Sequence, residues 1–102
     1  MMNVTRGAGG EIVIRIDGTF DPQAALRLSG RLGEVPAGAT VIVDFSRARE
    51  LQDLGLAMMA APLAGRPLHV LGLSHHQRRL LRYLGLDLGS EDLVGADDEL
   101  FG

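Results

Sequence analysis

The sequence predicts an α/β domain, a small mixed and mainly parallel sheet of four to five strands flanked by helices. Three observations predict it. Val41-Ile42-Val43 is a short β-branched run closed by the charge of Asp44, the pattern of a strand buried on both faces. Segments of strand pattern alternate with segments of helical spacing along the chain, which implies parallel pairing through right-handed crossovers. The 102 residues, 46% of them hydrophobic, suffice for one core spanning 1–102 and for no second domain.

The elements follow in order. Met2–Arg6 reads as a short first strand, joined through the turn Gly7-Ala8-Gly9-Gly10 to Glu11–Asp17. In that second strand Ile12, Ile14 and Ile16 alternate with Glu11, Val13, Arg15 and Asp17, so one face is buried. Asp21 is a good N-cap and Pro22 a good first residue for a helix ending near Leu32. Its residues Ala25, Leu28 and Leu32, with Val35 beyond, share one face, and Arg27, Arg31 and Glu34 turn outward. Pro36-Ala37-Gly38 is a turn before the strand 41–44. Ser46–Glu50 is mostly polar and reads as a loop. Leu51, Leu54, Met58 and Ala61 then recur at helical spacing, giving a helix over 52–61 closed by Pro62. Leu68–Leu71 is a further strand, and Ser74 caps a helix that runs to Leu84 and stops at Gly85. Leu86–Leu88 reads as a last short strand and Asp97–Phe101 as one or two helical turns.

Composition narrows the chemistry. There is no Cys and no Lys, and all ten basic residues are Arg. Thiolate nucleophiles, Cys metal sites, Schiff bases and a P-loop lysine are thereby excluded, and Arg cannot serve as a base because it stays protonated. Charge is unevenly spread: residues 1–84 carry all ten Arg and seven acids, while 85–102 carry six acids and no base. The net charge of −3 argues against non-specific nucleic-acid binding. The acidic end reads as a solvated terminus or as a segment folding back on Arg78, Arg79 and Arg82, with Arg78 and Arg82 forming an outward basic face. No apolar run is long enough to span a membrane, and the N-terminus lacks signal-peptide regions, so cytoplasm is the expected compartment.

Candidate catalytic groups are few. His75 and His76 are adjacent, diverge on a helix and cannot share a metal, so no metal and no cofactor are expected. Asp44 and Asp53 could converge at one strand end, but with no Lys a receiver-like phosphorylation site is not expected. Ser46 lacks a nucleophile elbow and reads as a loop hydroxyl. Met58-Met59 and the Leu80-Leu81-Leu84 set read as core. The expectation is a non-enzyme.

The order and spacing of several pieces resemble the STAS family, the domains of sulphate transporters and anti-sigma-factor antagonists. The pieces are Gly18-Thr19-Phe20-Asp21, Val41 to Ser46, Gly55-Leu56, Leu71 to Ser74, and Leu84-Gly85-Leu86. The resemblance implies a STAS-like fold. It also implies a bacterial regulatory role in signalling and control of transcription. Family members often carry a Ser or Thr at the start of the second helix that accepts phosphate from a partner kinase and switches partner binding. Here the aligned residues are Gln52-Asp53-Leu54-Gly55, with Asp53 at the acceptor position. An aspartate at a helix N-terminus partially imitates a phosphoserine, with about one charge where the phosphate has about two. The partner-binding surface implied is Asp21, Asp44, Ser46, Gln52, Asp53, Leu54, Gly55 and Met58 or Met59. The partner expected is a protein, an anti-sigma factor of the serine-kinase kind. One alternative is a transporter subunit, as for STAS proteins on lipid-transport ATP-binding cassette complexes. Another is a nucleotide or anion sensed at the helix N-termini at Asp21, Gln52 and Ser74, which the negative charge of Asp53 disfavours. Self-association is left open.

Overall fold

The computed structural model describes residues 1–88. Its elements are β1 (Met2–Arg6), β2 (Ile12–Ile16), β3 (Gly18–Phe20), α1 (Pro22–Leu32), β4 (Val41–Asp44), β5 (Ala48–Leu51), α2 (Asp53–Leu63), β6 (Leu68–Leu71) and α3 (His75–Tyr83). The main sheet has the order β1-β2-β4-β6, with β1 antiparallel to β2 and the other pairs parallel. Strand β2 pairs with β4 from Ile12 opposite Val41 to Arg15 opposite Asp44, and β4 continues onto β6 in the same register. The strand order advances in one direction, so crossovers of one hand place the helices on one face.

That face holds the core. Ile12, Ile14, Ile16, Val41, Val43, Leu68 and Val70 project from the sheet into one cluster with Ala24, Ala25, Leu28 and Leu32 of α1, Leu56, Met59 and Leu63 of α2, and Leu81 of α3. The alternate residues Val13, Ile42, Asp44, His69 and Leu71 are half-buried on the other face, and Arg15 there is exposed. The central strand is therefore buried on one side, not both as its β-branched run suggests.

A second, two-stranded parallel sheet pairs β3 with β5. Within the stretch Ser46–Glu50 that reads as loop, residues 48–50 join Leu51, which reads as the first position of the helical pattern, to form β5; Arg49 and Glu50 are its exposed positions, while Ala48 and Leu51 pack against the core. The pairing sets Phe20 opposite Leu51. Gly18, at φ +76°, makes the bend that separates β3 from β2. Phe20 and Phe45 meet edge to face, their ring centroids 5.0 Å apart.

Local chemistry starts each helix. Asp21 Oδ1 accepts from the Ala24 N–H at 2.9 Å, with Pro22 as the first helical residue of α1. Ser74 and Gln77 form a reciprocal capping box on α3, the Gln77 N–H donating to Ser74 Oγ and the Ser74 N–H to Gln77 Oε1. Helix α2 runs through Pro62 to Leu63, two residues beyond the boundary expected at Ala61. A proline so near the end costs one bond of the last turn without breaking the helix. Arg66 then ties two helix ends together. Its guanidinium and Nε donate to the carbonyls of Leu32 at the end of α1, Val35 beyond it and Pro62 in α2, at 3.1 to 3.4 Å.

Three further expectations are corrected. Arg78 is buried rather than outward, its Nη1 reaching the Val70 carbonyl at 3.5 Å, because it shares the inner face of α3 with Leu81. Leu84 follows the end of α3 and is 42% exposed, not core. Leu86–Leu88 forms no strand; the Val70 N–H donates to the Leu88 carbonyl at 3.1 Å, which lays these residues along the edge of β6. The helical turns expected over Asp97–Phe101, and contacts of the acidic end, lie outside the described residues.

Candidate functional site

The small sheet brings two helix N-termini together. Strand β3 runs straight into α1 and β5 into α2, and the Gln52 N–H donates to the Phe20 carbonyl at 3.0 Å. Gly55 completes the junction. A Cβ on Gly55 would lie 2.9 Å from the Asp21 carbonyl carbon and 3.0 Å from the carbonyl oxygens of Phe20 and Asp21. Only a glycine lets the first turn of α2 rest directly on that backbone.

The first turn of α2 is therefore held in place, and its outer side carries the candidate residues. Gln52 is the N-cap but its side chain makes no capping bond. Asp53 is the first helical residue, exposed, with a carboxylate that complements the positive end of the helix. Leu54 beside it is 62% exposed, and Met58, one turn on, is 37% exposed. Residues 54 and 58 lie on one stripe, so an acid and two apolar side chains share one outward surface. Met58, read as core from its composition, faces outward because the inner face of this helix is filled by Leu56, Met59 and Leu63.

Met59 and Gly55 are not part of that surface. Met59 is fully buried in the core and Gly55 is covered by the Phe20–Asp21 backbone, so the helical repeat turns both toward the interior. Asp21 spends its carboxylate on capping α1. Asp44 does not converge with Asp53. It stands on the face of the sheet away from the helices, where Oδ1 accepts from the backbone N–H and hydroxyl of Ser46 at 2.9 and 2.6 Å. Its Oδ2 lies 3.9 Å from Arg15 Nε. Ser46 is exposed but acts as the loop hydroxyl its context suggests, closing a tight turn after β4. Gly72, at φ +85°, packs against that turn; a Cβ there would run into the backbone nitrogen of Ser46.

Asp53 has one neighbour that sequence spacing did not reveal. His76 Nε2, in the first turn of α3, lies 3.5 Å from Asp53 Oδ2. Both side chains remain mostly exposed, so the contact is loose and leaves the carboxylate open to solvent. Ser74 as N-cap puts His76 at the second helical position, and only the packing of α3 against α2 brings it beside Asp53. Among the described residues, no group of three His, Asp or Glu is placed to hold a metal ion, and no helix is long and apolar enough to cross a membrane.

Comparison with solved structures places this geometry. The anti-sigma factor antagonist SpoIIAA, in its unphosphorylated form, superposes with a TM-score of 0.62 at 17% identity, covering 100% of this chain and 99% of that one. A glutamate-for-serine variant of RsbS from Moorella thermoacetica superposes with a TM-score of 0.58 at 21% identity, covering 85% of this chain and 80% of that one. At these identities the likeness is one of fold: a mainly parallel four-stranded sheet with its helices. No curated protein matches the chain. A family model described as "Mlab, STAS domain" matches residues 3–95, nearly the whole sequence, and the chain thus belongs to the STAS domain family.

Proposed function

We propose that the protein is a non-enzymatic docking module whose partner protein binds the N-terminal turn of α2. The observation that carries this reading is the pairing of an exposed acid with exposed apolar side chains on a rigidly seated helix start. Asp53 offers charge and orientation, and Leu54 and Met58 offer area to exclude water from the contact. Gln52 flanks them, and Asp21, Asp44 and Ser46 shape the turns around the site without presenting free groups of their own. In this reading Asp53 stands where relatives of the anti-sigma-factor-antagonist kind carry a phosphorylatable hydroxyl. The surface then holds one charge state and does not wait for a kinase.

Two kinds of partner fit. An anti-sigma factor is the first, since the chain shares its fold with SpoIIAA, an anti-sigma factor antagonist. A subunit of a transport complex is the alternative that membership of the STAS domain family keeps open. Affinity capture from native lysate with the parent chain, Asp53→Ala and Leu54→Asp tests the surface and identifies the partner together. The parent should retain a partner that both variants lose. A kinase-like protein supports the first identity, an ATPase or permease the second. Full retention by both variants refutes the site.

The same site predicts a stability result. Asp53→Ala should shift the melting temperature by only a few degrees, since a helix-terminal charge is worth about 1 kcal/mol at most and the pair with His76 is solvent-exposed. Asp53→Ser restores the hydroxyl of the family's acceptor. Phosphate incorporated into that variant by a cognate kinase, and not into the parent, is the expected outcome by mass spectrometry.

A further inference from the structure

We propose that the outward face of α3 is a second docking surface, and that it takes an acidic segment of a partner protein bearing an apolar anchor. The inference uses α3 alone and does not rest on the role given to Asp53. Helix α3 buries one stripe, Arg78 and Leu81, against the sheet and the other helices. Its other stripe, His76, Arg79, Leu80 and Tyr83, follows the spacing of a second helical face and lines an open hollow of about 370 Å³. Tyr83 is 89% exposed and contributes nothing to the core. Leu84, 42% exposed, extends the same apolar ground.

Charge selects the occupant. Outside its buried Arg78, the segment His75–Tyr83 holds Arg79, Arg82, His75 and His76 and no acid, and the acid bordering it is Asp53 beside His76. Arg79 is exposed, and no hydrogen bond or ion pair joins its guanidinium to another described residue. Tyr and Arg are the residue types that most often anchor protein contacts, because each combines area or bidentate donors with little flexibility lost. A carboxylate on the partner would take the guanidinium, and an apolar side chain would fill the hollow beside Leu80 and Tyr83. Nucleic acid fits less well: a chain of net charge −3 without Lys has few cations to neutralise several phosphates. A bilayer asks for a wider apolar face than Leu80, Tyr83 and Leu84 supply. A symmetric pair of these faces would bring two basic surfaces together, each with Arg79 and Arg82 exposed.

The test is fluorescence anisotropy on the full chain with two labelled amphipathic peptides of equal length. One places Leu and Phe among Glu, and the other has the same apolar residues among Lys. The Glu peptide should bind and the Lys peptide should not, and added salt should weaken the complex. Arg79→Glu and Tyr83→Ala should each lower affinity about tenfold or more, with Arg79→Gln intermediate. Both positions are exposed, so unchanged circular dichroism melts should accompany the loss. Leu54→Asp should leave this binding unchanged, which separates the surface from the one on α2. The proposal is overturned if Arg79→Glu binds as the parent does, if both peptides bind equally, or if Leu54→Asp abolishes binding. It is also overturned if the face proves to serve another occupant. Arg79-dependent capture on phosphatidylglycerol vesicles without peptide binding would show a membrane, and self-association lost in Tyr83→Ala a second copy. Peptide binding that emerges only when Glu91, Asp92, Asp97, Asp98 and Glu99 are replaced by their amides would show the chain's own acidic end.

Discussion

Two glycines in helices answer opposite questions, and replacing each with alanine measures how tightly α2 is seated. Gly30 lies in α1 with nothing within 4 Å of where a Cβ would stand. Gly55 lies in α2, with three backbone atoms at 2.9 to 3.0 Å from that point. Neither has a positive φ, so both gain the same helix-propensity term, about 0.8–1 kcal/mol in favour of alanine. Gly30→Ala keeps that gain whole. Gly55→Ala sets it against overpacking, which costs about 1–3 kcal/mol and falls here on backbone that no side-chain rotation can clear. The two variants should therefore differ by about 1–3 kcal/mol. At about 4–8 °C per kcal/mol for a domain of this size, thermal unfolding should separate them by roughly 5–20 °C, with Gly30→Ala above the parent and Gly55→Ala at or below it. Amide chemical shifts should add a second reading: Gly55→Ala should move Phe20, Asp21, Asp53 and Leu54, whereas Gly30→Ala should not. If Gly55→Ala melts with or above Gly30→Ala, then α2 yields freely at its N-terminus, and the account of a rigidly presented Asp53 fails.

The remaining predictions concern the frame behind that helix. Arg66→Met should destabilise by about 2 kcal/mol, because three carbonyls at two helix ends lose a charged donor whose bonds are of middling length; denaturant unfolding checks it, and a loss below about 0.5 kcal/mol would mean that water replaces the arginine at no cost. Phe20→Ala should cost about 3–5 kcal/mol, since Phe20 is fully buried against Phe45 and belongs to the strand that leads into α1. A small loss on melting would show that the two-stranded sheet hangs free of the core.

What was legible in the sequence was whatever depended on periodicity and caps. The alternation of Ile12, Ile14 and Ile16 located β2 and its buried face, and Asp21-Pro22 and Ser74 marked the two helix starts to the residue. Parallel pairing of β2 with β4 followed from the strand–helix order. Strand β5 was hidden because it is short and carries Arg49 and Glu50 outward; what makes it a strand is its partner β3, a tertiary fact. Arg78 was read outward because arginine usually is. The helical repeat with Leu81 counts more than residue type here, and the Val70 carbonyl accepts the buried guanidinium. On α2 the pattern is apolar on nearly every side, so spacing could not tell Met58 from Met59; only the packing of Leu56 and Leu63 does. The contact between His76 and Asp53 joins two helices and is invisible to any local pattern.

These features together explain why the candidate surface sits on the helix layer and not on the sheet. The open sheet face carries Ile42, His69 and Leu71, but its acid, Asp44, is already held by Ser46 and Arg15. The start of α2 is different. Its backbone is anchored through Gln52 and Gly55 to the β3–α1 junction, while its side chains at 53, 54 and 58 remain uncommitted to the core. A rigid backbone beneath exposed side chains lowers the ordering cost of a contact, because little is left to freeze on binding. On the proposed reading, an acid held at a fixed helix end would supply the charge that a phosphate would otherwise deliver and remove, and Gly55→Ala, by lifting that end, should weaken partner binding even where Asp53 and Leu54 are both intact.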